Sequence, residues 1–548
     1  MKLKKLFCLA TMMLALAGKA VFAQSTNAPT SLAELQQRLT EQVSSPRFDS
    51  AIFGVKIVSL DTGKTLFEHN ANKLLSPASN CKLYTVALAL DQLGGDYRIR
   101  TSLYAVGKTN RAGTLKGDLI VYGRGATDFN ARWHGDDIYR AFESLVAVLT
   151  NAGIKRITGD LIGDDSFFRG PPTGSGWDCD DLQCYYGAEL SALTVNDNVL
   201  TFVAKPSAKV GEPCELSLKP ATSYLALSNR TVTGAADTKG SITLYRPLGE
   251  NLVYATGQWP AGGGQHTDYV TMHNPAGLFV SFFKEALARH GIKVGGKTRS
   301  INSVARGAKP LASGKLIELG SVESLPLRDL AREIQKPSQN LYTDLLLCHL
   351  GALAQAKLAE TTDPLTPSLS PSDGERAAGR PGEGRSQTIG AHSAPWNMTE
   401  TSEEAGIRQL KKFLAHVGIG TNDVHLEEGS GLSRNNMVTP NATIALLQYM
   451  SLSPEAEAYL NSLPIAGVDG SLKNRMKNTA AAGNVRAKTG TLRWANSLSG
   501  HVKTAAGERL IFSLMLNRYV APDDEHPARG ELDKIAVTLA EFAGRSEQ

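Results

Sequence analysis

Residues 24–96 and 266–548 share an α/β texture, and the different stretch between them, 97–265, is what most constrains the fold. Within 97–265 the pattern is of short alternating strands, frequent glycines and few long helices, which predicts one or two mainly β subdomains inserted into a discontinuous domain. The flanks supply that domain. Before the insertion come an amphipathic helix over 32–43, then a strand over 54–60, the turn Asp61-Thr62-Gly63, and a strand over 64–69. After it come a helix opened by Asn274-Pro275, an apolar helix over 341–358, a capped helix over 402–417, strands over 497–503 and 509–516, and a closing helix over 531–542. The expected fold class is α/β (α+β), and 548 residues leave room for more than one domain.

Residues 1–23 have a basic start at Lys2, Lys4 and Lys5, an apolar run from Leu6 to Ala17, and small residues at Val21 and Ala23. This is the pattern of a secretory signal peptide cleaved before Gln24, with an apolar run too short to span a bilayer. Removing its four lysines and no acid takes the formal charge from +5 to +1. No basic stripe remains to suggest nucleic acid, and no later segment reads as a membrane span. The mature chain is expected to be exported and periplasmic. In an oxidising compartment a disulfide can form among Cys179, Cys184 and Cys214, but three cysteines leave the pairing open. Cys81 and Cys348 sit in apolar helices and read as buried free thiols.

Three segments read as non-functional. Residues 361–394, rich in Pro, Ser, Gly, Glu and Arg, are expected to be a disordered insert within the catalytic domain. Gly291 to Thr298 fits the phosphate-loop pattern letter for letter but follows a helix and leads into a polar connector, the wrong context for that loop. The acids around Trp177-Asp178-Cys179-Asp180-Asp181 match no calcium-loop spacing and read as a solvated loop. No cofactor or metal is implied.

The chemistry is carried by three short motifs. Ser76-Pro77 is expected to cap a helix in whose first turn Ser79 lies, with Lys82 three residues on and on the same face. A desolvated lysine there is able to act as base for a serine nucleophile. Ser281-Phe282-Phe283-Lys284 fits the same S-x-x-K pattern but falls in mid-helix among phenylalanines. Ser338-Gln339-Asn340 stands at the start of the 341–358 helix, where a hydroxyl and an amide can reach a cleft, whereas Ser300-Ile301-Asn302 has no such platform. Lys488-Thr489-Gly490 occurs once, offering a cation and a hydroxyl for a carboxylate and a glycine for close backbone approach. Each alone is more often an ordinary cap or turn. The order of the three, each on a suitable element, favours the catalytic reading.

S-x-x-K, S-x-N and K-T-G in this order resemble the penicillin-recognising serine enzymes. The long separation of Ser79 from Ser338 is similar to that in D-alanyl-D-alanine carboxypeptidase/endopeptidases of the penicillin-binding protein 4 type, the low-molecular-mass class C proteins. So are Gly117-Asp118-Leu119, Ser191-Ala192-Leu193, Gly429-Ser430-Gly431-Leu432-Ser433-Arg434 and Asp469-Gly470-Ser471-Leu472. The resemblance implies a penicillin-binding-protein/β-lactamase-like transpeptidase domain, with mainly β subdomains inserted between the first two motifs. It implies Ser79 as acylated nucleophile, Lys82 as general base, Ser338 as proton relay and Asn340 as holder of the substrate backbone. Lys488 and Thr489 would bind the terminal carboxylate, Gly490 and Thr491 would belong to the same substrate-binding strand, and the Ser79 and Thr491 N–H groups would form the oxyanion hole. Substrates would be peptidoglycan stem peptides and cross-links, with β-lactam antibiotics as covalent inhibitors.

Cys81 stands where the resemblance leads one to expect threonine, and 123–128 and Glu427-Glu428 only approximate the family's patterns. A β-lactamase would share the three motifs, but the long insertion and the lack of a separate deacylation glutamate count against it. A non-catalytic peptidoglycan-binding or drug-sensing module would have no need of a base beside its serine.

Overall fold

The computed structural model describes residues 28–308, 316–362 and 400–547. The signal peptide expected over 1–23 and most of the insert expected over 361–394 lie outside the described residues.

A five-stranded antiparallel sheet joins the two ends of the chain, in the order Arg486–Leu492, Ala495–Lys503, Arg509–Asn517, Ile52–Ser59, Thr65–His69. Its centre is apolar on both faces, with every position of Arg509–Asn517 after the first buried. Such a strand needs cover on each side. On one side Leu35 and Leu39 of the helix Leu32–Val43 and Ile535 and Leu539 of the helix Ala528–Glu541 share a core with Val55, Ile57, Phe512 and Leu514. On the other, Val58, Ile511 and Met515 pack into a larger core formed around the helix Cys81–Leu93.

That helix is buried at every position from Cys81 to Leu90, on all faces and not along one stripe. Around it stand the helices Leu327–Gln335, Asn340–Thr362, Ser402–Val417 and Pro440–Leu452. Ser76 was expected as its N-cap, and the structure corrects this. A 3-10 turn, Ala78–Asn80, precedes the α-helix without a side-chain cap. Ser76 is held instead by Asn517, which accepts the Ser76 N–H (2.7 Å) and donates to its carbonyl (3.1 Å).

The intervening region is rich in β structure. Two three-stranded sheets lie within 199–271, and a seven-stranded sheet is built on Arg100–Thr109 and Thr114–Tyr122. The last does not stop at residue 265, the boundary expected from sequence texture. It takes in Lys293–Val294, Thr298–Ile301 and Leu316–Glu323, the last paired antiparallel with Arg100–Thr109. Pairing across so long a separation leaves no local mark in sequence. The phosphate-loop lookalike thus runs from a helix end into strands at this sheet's side and does not itself open a helix.

The five described cysteines are all free thiols, so the trio of Cys179, Cys184 and Cys214 holds no disulfide. No described helix is long and apolar enough to cross a membrane.

Candidate active site

The turn that carries Ser79 is pressed between two glycines. Ala78 is held at φ 47°, a region that non-glycine residues rarely enter. On one side Gly431, at φ 87°, lies so close that a Cβ would stand 1.9 Å from the Ala78 carbonyl oxygen. On the other, a Cβ on Gly490 would stand 2.4 Å from the Pro77 carbonyl oxygen and 2.2 Å from Ser497 Oγ, which itself donates to that carbonyl at 2.6 Å. Glycine is required at both places because backbone meets backbone.

Beyond the turn the α-helix begins, and Lys82 returns over Ser79 as the spacing predicts. Its amine is fully buried and donates to Ser79 Oγ (2.9 Å), Asn340 Oδ1 (2.7 Å) and the Ser430 carbonyl (2.5 Å). Loss of water brings Lys82 down to about 8, against the opposing pull of the buried acid pair behind it. A sizeable fraction is therefore neutral in mildly alkaline solution, with a lone pair beside a serine hydroxyl.

Ser338 and Asn340 reach the same place from the start of the helix Asn340–Thr362. Ser338, at φ 66°, lies in the bend before it, and Asn340 is the first helical residue. Lys488, on the edge strand Arg486–Leu492, is fully buried and donates to Ser338 Oγ and to the Thr489 carbonyl, both at 2.8 Å. Burial, and then the neighbouring Lys82, hold Lys488 well below the ordinary lysine range. Thr489 Oγ1 lies 2.6 Å from Ser471 Oγ. Thr491 continues the strand into solvent, paired with Asn496 across the hairpin. Ser79, Lys82, Asn340, Ser338, Lys488, Thr489 and Gly490 thus meet in one cluster, with Thr491 at its open end. The competing Lys284 is exposed on the helix Pro275–Arg289.

Several contributors were not assigned from sequence. The loop over 170–186, read as solvated, closes one wall: the Tyr186 carbonyl accepts Asn340 Nδ2 at 3.0 Å, and Asp178 pairs with Arg434 at 3.0 Å. Gly429 to Arg434 and Asp469 to Leu472 were noted only as resemblances, yet they bring the Ser430 carbonyl to Lys82 and Ser471 to Thr489. Cys81 is buried, and loss of water pushes its thiol well above the usual range, so it stays protonated. Among the described residues no cluster of His, Cys, Asp and Glu could hold a metal ion.

The sequence matches the model of the D-Ala-D-Ala carboxypeptidase 3 (S13) family over residues 35–365 and 387–539. It is 32% identical over 523 residues to a D-alanyl-D-alanine carboxypeptidase of Actinomadura sp. (strain R39), covering 94% of this chain and 86% of that protein. The fold is similar to that of penicillin binding protein 4 from Haemophilus influenzae (TM-score 0.69, 22% identity, 93% of this chain and 98% of that one). A second crystal structure of the Haemophilus protein, in complex with a β-lactam, gives a TM-score of 0.64 at 21% identity over 92% of this chain and 98% of that one. The α/β fold class expected from sequence is that of these relatives.

Proposed function

This chain belongs to the D-Ala-D-Ala carboxypeptidase 3 (S13) family, and from that premise we propose that its reaction runs through an acyl-enzyme on Ser79. It is a serine-type D-Ala-D-Ala carboxypeptidase. The observation that carries the proposal is the buried Lys82 amine, brought down to about 8, at 2.9 Å from Ser79 Oγ.

Neutral Lys82 takes the Ser79 proton as Oγ attacks the carbonyl between the two terminal D-alanines. Negative charge develops on that carbonyl oxygen, where the backbone N–H groups of Ser79 and Thr491 receive it. As the C–N bond breaks, Ser338 relays to the departing amine the proton that Lys82 took from Ser79, leaving Lys82 neutral and the stem peptide esterified to Ser79. Water then attacks the ester, its proton returning through Lys82, and the shortened stem leaves with Ser79 restored. Asn340 aligns the substrate backbone while it also orients Lys82. Lys488 and Thr489 take the terminal carboxylate, and Gly490 lets the strand lie against the serine turn.

The peptidase domain is the discontinuous unit formed by the two flanks, apart from the strands Lys293–Val294, Thr298–Ile301 and Leu316–Glu323 that complete the inserted sheet, and the substrates are peptidoglycan stem peptides. D-alanyl cross-links are a second substrate class, giving endopeptidase action, and penicillins acylate the same serine. A β-lactam complex of the similar Haemophilus protein supports that last point. Residues 1–23 direct export to the periplasm, in keeping with the absence of a membrane-spanning helix among the described residues.

Incubation with purified cross-linked muropeptides tests the substrate assignment. Release of D-alanine together with cleavage of dimers is expected. Failure to release either product from stems ending in D-Ala-D-Ala would overturn it.

A further inference from the structure

Behind the Lys82 amine lies a buried pair of acids that the reaction as drawn does not use. Asp344 stands one helical turn after Asn340, so the face that turns the Asn340 amide toward Lys82 also carries this carboxyl. Asp344 is 1% exposed and Glu428 0%. Their surroundings are unequal. Glu428 Oε2 accepts the Ser430 N–H (2.8 Å) and hydroxyl (2.5 Å), while Oε1 accepts the Gly431 N–H (2.7 Å), the Asn436 amide (2.5 Å) and the Ser433 N–H (3.4 Å). Asp344 Oδ1 accepts only the Gly429 N–H at 3.0 Å, Oδ2 is buried with no donor, and Glu428 is the neighbouring acid that bears on Asp344 most.

A carboxylate so fully supplied with donors is an ion, and an acid oxygen without one, set against it, has to bring its own proton. We propose that Asp344 is a neutral carboxylic acid set against ionised Glu428, and that this singly charged pair positions and tunes Lys82. Both are positioning residues, and the inference rests on Lys82 acting as the base.

Glu428 gathers the N–H groups of 430, 431 and 433, which aims the Ser430 carbonyl at Lys82 and seats Gly431 on the Ser79 turn. Five groups face the lysine or the pair. Lys488 approaches from the edge strand, Cys81 from Lys82's own helix, Asp344 from the Asn340 helix and Glu428 from the loop. Glu403, on the helix Ser402–Val417, lies behind the acids, pushed up to about 7 by burial despite its bonds to Ser175. Burial, with Glu428 and then Glu403 adding to it, pushes Asp344 well above the carboxylate range. One negative charge near two desolvated lysines offsets part of what burial takes from Lys82. Two would hold it charged, and none would let it fall further.

Infrared spectroscopy of the whole enzyme tests the protonation directly. In alkaline solution Glu403, Asp128 and Asp165, pushed to about 7, 6 and 6, have ionised, and a carboxylic-acid carbonyl band should persist that Asp344→Asn lacks. The pH profile of D-alanine release tests the tuning. Glu428→Gln removes the charge and should move the acid limb of kcat/KM to lower pH by about one unit, whereas Asp344→Asn exchanges neutral for neutral and should leave the limb in place. Absence of the band, or an equal shift in both variants, would overturn the pair. If Glu428→Gln does not fold, the band and the Asp344→Asn profile still decide. Failure of the Lys82 assignment itself would show separately, as Lys82→Met releasing D-alanine at the full rate.

Discussion

Lys488 Nζ lies 2.8 Å from Ser338 Oγ, and no carboxylate among the described residues pairs with it. Buried beside Lys82, it is held well below the ordinary lysine range. A substrate carboxylate arriving at Lys488 supplies the missing counter-charge, so binding should take up a proton. Calorimetry of a D-Ala-D-Ala peptide with the Ser79→Ala enzyme, in buffers of different ionisation enthalpy, should show uptake approaching one proton per site near neutral pH. Binding without uptake would mean that Lys488 is charged beforehand.

The same burial bears on stability. A lysine held below its unfolded value binds fewer protons in the folded state, so its cost is full at low pH and is relieved as pH rises toward the free-lysine value of 10.5. Lys488→Met should therefore be more stable than the parent by about 1–3 kcal/mol near neutral pH, as removal of a buried lysine without a charge partner predicts. The gain should shrink as pH climbs toward 10.5, and D-alanine release should be lost. Urea midpoints across this range check the slope, and a variant less stable at neutral pH would contradict it.

Gly490 bears on geometry alone. A Cβ would stand 2.4 Å from the Pro77 carbonyl oxygen, so Gly490→Ala must push the strand away from the serine turn. Strain of about 1–3 kcal/mol and a displacement of this kind should lower kcat/KM roughly 100-fold, with folding retained. Acylation by a penicillin at the parental rate would show that the strand has room to give.

The parts of the site legible in sequence were those fixed by local spacing. Ser79 and Lys82 meet because three residues make one helical turn, and Lys488, Thr489 and Gly490 stand together because they are consecutive. The order of the motifs then joined elements far apart in the chain. What spacing could not show were partners chosen by tertiary packing. Tyr186 touches Asn340 across 154 residues, and the Ser430 carbonyl reaches Lys82 across 348. The boundary at 265 failed for the same reason, since texture cannot reveal that Leu316–Glu323 pairs with Arg100–Thr109. The expected cap at Ser76 was a local inference overruled by Asn517 from the far end of the chain.

The match to the family breaks between 365 and 387, inside the Pro- and Ser-rich insert. Excising residues 366–386 should leave D-alanine release within about twofold of the parent, because lengthening or shortening a connector changes its closure entropy only slowly. A large fall in activity or in the unfolding midpoint would give the insert a role.

The central claim, that Ser79 is the residue acylated, is tested most directly by intact-protein mass spectrometry after incubation with a penicillin. One adduct per chain is predicted, mapping to the peptide that contains Ser79 and absent from Ser79→Ala. An adduct on another residue, or one that persists in Ser79→Ala, would contradict the account.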